Sequence, residues 1–216
     1  MRSYYAQRAR EYERIYDKPE RQSDLALLRV YLAGRFAGRR VIDVACGTGY
    51  WSACYAGLAR EIVGVDANPE TLEIFATKQL ANASTRVADC YQLPPDLGQF
   101  EGAFAGFWLS HVPRVRRASF FEGLHARLAP GARVVLIDNR YVAGSSTPIA
   151  GRDDAGDTWQ ERLLSDGSTH RVLKNFPKLE ELREHVAARA NSMHWWSTDY
   201  YWWFEYELAA LPPLDS

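Results

Sequence analysis

Three aspartates and a glycine turn within the first ninety residues have the types and order to hold a nucleoside. The segment VIDVACGTGYWS, residues 41–52, runs an apolar stretch into Gly47-Thr48-Gly49. Glycine has no Cβ, so the backbone there can turn sharply and approach a ligand closely. The next apolar run ends at Asp66, seventeen residues beyond Gly49, where a carboxylate can accept from both ribose hydroxyls. A third run ends in Ala88-Asp89-Cys90; the Asp89 carboxylate is placed to take an adenine amino group and the Cys90 N–H to serve a ring nitrogen.

Two details separate the nucleoside cofactors. The third small position of a dinucleotide fingerprint is Ser52 here, not Gly or Ala, and no GK[ST] follows the turn, which excludes a P-loop. Asp43, inside the first apolar run, is ill suited to face a pyrophosphate. It suits a cofactor with a cationic centre and an amino group.

These residues need strands and helices to position them. Val41–Ala45, Glu61–Asp66, Thr85–Ala88, Ala103–Leu109 and Ala132–Asp138 read as strands, separated by helical patterns to about Leu58, from Pro69 to about Leu80, and from Pro113 to Leu128. Alternating strand and helix signals mean βαβ units and a parallel sheet. The first forty residues read as helices broken at Pro19, with a stripe of Leu25, Leu28, Leu32 and Phe36. Residues 139–176 break the rhythm, with Asp166-Gly167 as a hairpin signal, and connections of that length tend to be lids or binding elements. A helix from Lys178 to Ala190 and two strands, His194–Ser197 and Tyr200–Leu208, close the chain. The final strand alternates Tyr200, Trp202, Phe204 and Tyr206 against Tyr201 and Trp203, as in a strand buried on both sides. A quaternary-ammonium cage is the alternative use of those rings.

An acidic residue after each of strands two and three, behind D-x-x-C-G-T-G, resembles the class I S-adenosylmethionine-dependent methyltransferases of small-molecule type. The resemblance covers residues 40–140 through motifs and the C-terminus through the final strand pair. It implies an α/β Rossmann-like three-layer sandwich: a seven-stranded, mostly parallel sheet in the order 3-2-1-4-5-7-6, the last strand antiparallel, with helices on both faces. It assigns Asp43, Ala45, Gly47 and Gly49 to the methionine portion of S-adenosylmethionine, Asp66 and Ala67 to the ribose side, and Asp89 with Cys90 to adenine. An N-terminal helix folding over the cofactor brings in Tyr4, Tyr5 and Arg8; one of the two tyrosines is expected to contact cofactor or substrate, with Tyr5 placed in the cofactor set, and Arg21 and Gln22 are further candidates for the cofactor carboxylate. Phe107 joins the cofactor set and Trp108 the substrate set, because FAGFWLSHVP (residues 104–113) lies where the family keeps residues near the methyl group. Its lack of (D/N)PPY argues against a nucleic acid amine as acceptor.

His111 in that stretch is the candidate base, since a neutral imidazole can take a proton near pH 7; the alternative is a cap on the helix begun at Pro113. Arg140 can hold a substrate carboxylate in a forked pair of hydrogen bonds or tie down the following loop, and Tyr141 is its neighbour in the substrate set. The expected reaction is methyl transfer to a hydroxyl or carboxyl oxygen of a small molecule. N-methylation of a small amine or heterocycle is the alternative, ahead of a tRNA or protein methyltransferase or a non-catalytic cofactor binder.

Composition bounds the rest. The chain has 216 residues, 47% hydrophobic and 25% charged, with a net charge of −1 and no long basic run, which suits a single domain and not a polyanion binder. Residues 1–38 are expected as a helical cover and 139–176 as a substrate-side insertion. Three cysteines, Cys46, Cys54 and Cys90, form neither a disulfide framework nor a metal-ligand pattern. A charged N-terminus and no membrane-length apolar run read as cytoplasmic, with no membrane or nucleic acid partner and with homodimerisation left open.

Overall fold

The computed structural model describes residues 9–164 and 167–210. Tyr4, Tyr5, Arg8 and Asp166 lie outside them. Ten strands and five α-helices follow: α1 Gln22–Ala33, β1 Arg40–Val44, α2 Ser52–Tyr55, β2 Glu61–Asp66, α3 Pro69–Thr77, β3 Ala83–Val87, β4 Phe100–Gly106, α4 Arg117–His125, β5 Leu128–Asn139, β6 Gly151–Arg152, β7 Thr158–Leu163, β8 Thr169–Leu173, α5 Leu179–Val186, β9 Ala190–Ser197 and β10 Tyr201–Leu208. Seven strands form one sheet in the order β3-β2-β1-β4-β5-β10-β9, the expected topology. The pairs from β3 through β5 are parallel, and β10 runs antiparallel to both β5 and β9.

Each face of the sheet carries its own core. On one side Leu25, Leu28 and Leu32 of α1 and Phe36 meet Val41, Ile62, Phe104, Tyr201 and Trp203. On the other, Phe120, Phe121 and Leu124 of α4 with Leu182 and Val186 of α5 meet Val134, Leu136, Trp202, Phe204 and Tyr206. The period-two alternation of β10 therefore sends its aromatic rings into both cores. Burying one such side chain contributes roughly 1.5–3 kcal/mol. Among the described residues no helix is long and apolar enough to cross a membrane.

The differences from the sequence reading have local causes. β4 ends at Gly106 rather than Leu109, because Phe107 takes φ +60° and leaves the extended region. The helix after the glycine turn is one turn long, not a run to Leu58. Gly38 N–H draws the Leu58 carbonyl away at 2.8 Å, and Ala37 bridges Ala59. The 139–176 segment holds the antiparallel β7–β8 pair that its two strand-like runs suggest. It also holds β6, which makes a separate three-stranded sheet that the sequence reading lacks.

Candidate active site

The C-terminal ends of β1, β2 and β4 meet around one cleft of ≈ 250 Å³. β1 stops because Ala45 adopts φ +56° and Gly47 φ +55°, which turns the backbone across the strand ends. The turn is pinned from the neighbouring strand: Gly47 N–H donates to the Asp66 carboxylate at 3.0 Å, and Asn68 N–H donates to the same group at 2.9 Å. Burial pushes the Asp66 carboxyl up, and those N–H donors oppose it. The space beyond Gly47 is open, with no atom within 4 Å of where a Cβ would stand.

Of the residues expected at the cofactor, Ala45, Gly47, Asp66 and Ala67 line this cleft, and so do Asp89, Cys90 and Phe107. Trp108 and His111 join them. Asn68, Thr71, Tyr91, Gly106 and Arg116 also line it and were not singled out from sequence. Arg116 lies 3.5 Å over the Tyr91 ring, a cation–π pair that spacing alone does not reveal.

Two of the expected cofactor residues are absent from the cleft's lining and have partners elsewhere. Asp43 does not line the cleft. Its carboxylate accepts from Ser52 Oγ and Tyr55 Oη, each at 2.6 Å, and so anchors α2 beneath the turn. Burial pushes its pKa up to about 7 against those hydrogen bonds. Gly49 does not line it either. A Cβ at Gly49 would stand 2.5 Å from the Phe75 ring, so this glycine lets α3 pack against the turn.

A second cavity of ≈ 380 Å³ lies between the N-terminal segment, the end of β5 and the insertion. Phe107 and His111 line both spaces and mark their junction. Phe107 is a bulky residue in the left-handed region, a conformation that costs about 1–3 kcal/mol. It is held by its N–H on the Ile137 carbonyl at 2.7 Å and by the rings of Trp51 and Tyr201, both 5.6 Å away.

His111 is buried and its Nδ1 lies 2.7 Å from the Leu173 carbonyl of β8. A carbonyl only accepts, so Nδ1 carries the proton and Nε2 the lone pair. Burial, with the charges of Lys174 and Arg162, drives its pKa well below the usual histidine value, so the ring is neutral at pH 7. The helix-cap alternative is replaced by this tie to the insertion.

Beside His111, the buried Lys174 ammonium donates to Ser110 Oγ at 2.6 Å and to Asp138 Oδ1 at 3.2 Å. Asp138 also accepts the Ser110 N–H at 2.8 Å. Burial lowers the Lys174 pKa to about 8. The sequence reading passed over this trio, although an aspartate at the end of an apolar strand is a signal that a buried partner is needed.

Arg140 and Tyr141, expected at the substrate, line neither cavity. Arg140 donates to the Thr198 carbonyl and its N–H to that of Tyr200 at 2.8 Å, closing the β9–β10 turn. Tyr141 packs edge-on to Phe176 at 5.3 Å, and it is Phe176 that reaches the second cavity. Arg21 lines the second cavity rather than the cofactor cleft, and Gln22 donates to the carbonyls of Tyr16 and Lys18.

Residues 41–131 match the model of a methyltransferase domain. A ubiquinone biosynthesis O-methyltransferase of Xanthomonas campestris pv. campestris (strain B100) is 30% identical over 160 residues. That alignment takes in 70% of this chain and spans 63% of the relative's length. The solved DhpI–SAH complex is 28% identical, with TM-score 0.77, covering 96% of this chain and 94% of the other. The DhpI-SAM-HEP complex is 27% identical, again with TM-score 0.77, covering 94% of each chain. Both solved relatives are thus complexes of S-adenosylmethionine or its demethylated product. The residues present fit such a cofactor: Asp66 and Asp89 put carboxylate acceptors in the cleft wall, and Gly47 leaves room for close approach. The domain match over residues 41–131, the strand order and the SAH- and SAM-bound relatives make this chain similar to the class I S-adenosylmethionine-dependent methyltransferases in both sequence and fold.

Proposed function

We propose that the protein transfers a methyl group to an oxygen of a small molecule held in the second cavity. The observation that carries this reading is the junction: Phe107 and His111 line both the cofactor cleft and the adjoining space. When bound, S-adenosylmethionine supplies an electrophilic methyl group on a sulfonium. In the cofactor cleft, Asp66 would accept ribose hydroxyls and Asp89 the adenine amino group, with Ala45, Gly47 and Ala67 giving close backbone approach and Cys90 and Phe107 closing the walls.

In the second cavity, residues 139–176 and the N-terminal segment act as a cover that excludes water and aligns the acceptor, the main source of rate for an in-line displacement. His111, neutral and fixed through Nδ1, would accept the acceptor's proton at Nε2. Trp108, packed on Tyr91 and Phe120, shapes the cleft side of the junction. The cations lining the second cavity, Lys174 and Arg21 among them, stabilise an acceptor that reacts as an anionic oxygen, a carboxylate or an ionising hydroxyl.

The test is incubation of the protein with methyl-labelled S-adenosylmethionine and matched panels of small hydroxy acids and small amines. Label recovered as methyl ether or ester supports the reading. Label recovered only on nitrogen, or S-adenosylhomocysteine released by neither panel, would sink it.

A further inference from the structure

Resting on the methyl-transfer reading, we infer that the second cavity binds an acid: a small molecule whose compact oxyanion, carboxylate or phosphate-type, sits against Arg21. Arg14, Lys18, Arg21, Arg162 and Lys174 line this space, against one acidic lining residue, Glu161. The cofactor cleft leans the other way, with Asp66 and Asp89 in its wall against Arg116. The two halves of the site are therefore charged for different guests.

Arg21 is the sharpest observation. It stands at the start of α1 and is 6% exposed, yet its hydrogen bonds go to neutral oxygens. Its Nε and Nη2 donate to Ser145 Oγ at 3.1 and 2.9 Å, and Nη1 to Asn139 Oδ1 at 3.4 Å. The rings of Tyr200 and Tyr201 lie 5.0 and 5.7 Å from its Cζ. Glu20 is one hydrogen bond further away, accepting from Ser145 Oγ at 2.8 Å, and is exposed to solvent. Among the described residues, no carboxylate pairs with this buried guanidinium. Buried charges are normally paired, because an isolated one loses its hydration without compensation. The planar fork of Arg21 is the shape that recognises carboxylate or phosphate.

Lys174 points the same way. Asp138 balances its charge, and its ammonium gives two N–H groups to Ser110 and Asp138. The third has no acceptor among the described residues. The field of the cluster is felt by its members: Arg162 and Arg21 help to lower the Lys174 pKa, and Lys174 and Arg162 help to lower that of His111. An anion entering the cavity offsets that field. The substrate's own acid group thereby makes His111 a better proton acceptor at the moment it is needed.

The probes are inorganic phosphate and acetate, with glycerol as neutral control. Each is titrated calorimetrically into protein saturated with S-adenosylhomocysteine, at constant ionic strength. Phosphate binding alone assigns a phosphate-type group, acetate alone a carboxylate, and both a general oxyanion site. Arg21→Gln should weaken the bound anion by about 10–100-fold, the worth of hydrogen bonds to a charged group, and Arg21→Lys by less. S-adenosylhomocysteine affinity should stay unchanged in both, which also reports that the variants fold. Should Arg21→Gln fail to fold, Lys18→Gln and Arg162→Gln, at less buried positions, take its place and should each weaken the anion. No anion binding to the wild type, or affinity indifferent to these substitutions, overturns the inference. Failure of S-adenosylhomocysteine to bind would instead overturn the cofactor reading, and the same titration on the protein alone would still decide the anion site.

Discussion

The ammonium of Lys174, just past β8, lies 3.2 Å from the carboxylate of Asp138 near the end of β5, and both are buried. This contact fastens the insertion to the edge of the sheet where the two cavities meet. Around it, Asn175 N–H donates to the Ser110 carbonyl at 2.7 Å, and His111 reaches the Leu173 carbonyl. The short segment Leu109–His111 is thus held from below by Asp138 and from above by the insertion.

Breaking that pair on one side should be costly. Asp138→Asn leaves an uncompensated buried ammonium and is expected to lower unfolding free energy by about 3 kcal/mol. Combining it with Lys174→Met should recover most of the loss, since a well-packed apolar pair needs no charge compensation. Urea denaturation of the two single variants and the double variant measures this coupling. Strict additivity would contradict it.

His111 makes a pH prediction. Its folded-state pKa lies well below the unfolded value of 6.5, because burial and the nearby cations resist protonation. As pH falls below 6.5 the unfolded chain gains a proton that the folded one refuses, so the stability this group contributes is progressively lost. His111→Ala should remove that part of the acid sensitivity and lower turnover by about 10²–10⁴-fold, the usual worth of a positioned base. Denaturation and rate profiles from pH 5 to 8 read both effects. Turnover that survives the substitution would reduce His111 to a tie between the junction and the insertion.

The two glycines of the turn should respond differently to alanine. Gly49→Ala drives a Cβ to 2.5 Å from the Phe75 ring at a backbone φ of +73°, so about 2–4 kcal/mol of stability should be lost. Gly47→Ala meets no atom within 4 Å and pays only for its φ of +55°, about 1 kcal/mol. Its methyl group would instead project into open space at the cleft and weaken cofactor binding. Thermal denaturation with and without S-adenosylhomocysteine separates the two, and equal losses of stability would contradict the assignment.

Most of the sheet was legible because most of its strands are apolar runs closed by polar residues: Asp66 ends β2 and Asp89 follows the end of β3 by two residues, and both line the cleft. The alternation of Tyr201, Trp202 and Trp203 likewise announced burial on two sides. What escaped depends on contacts between distant segments. Asp43 carries the family motif, yet only the fold reveals that Ser52 and Tyr55 claim its carboxylate. Arg140 looked like a ligand residue because it follows a strand. Its geometry is decided by the Thr198 carbonyl in a turn much later in the chain. Arg21 and Lys174 belong to the N-terminal segment and the insertion, and nothing in local periodicity shows that they line one cavity.

The most direct test of the account is calorimetric titration of the protein with S-adenosylmethionine and S-adenosylhomocysteine, with NAD as control, in the wild type and in Asp66→Ala. The account predicts that both sulfur cofactors bind and NAD does not, and that loss of the Asp66 carboxylate weakens both by about tenfold or more, as expected for hydrogen bonds to a charged acceptor. NAD binding, or sulfur-cofactor affinity indifferent to Asp66, would contradict it.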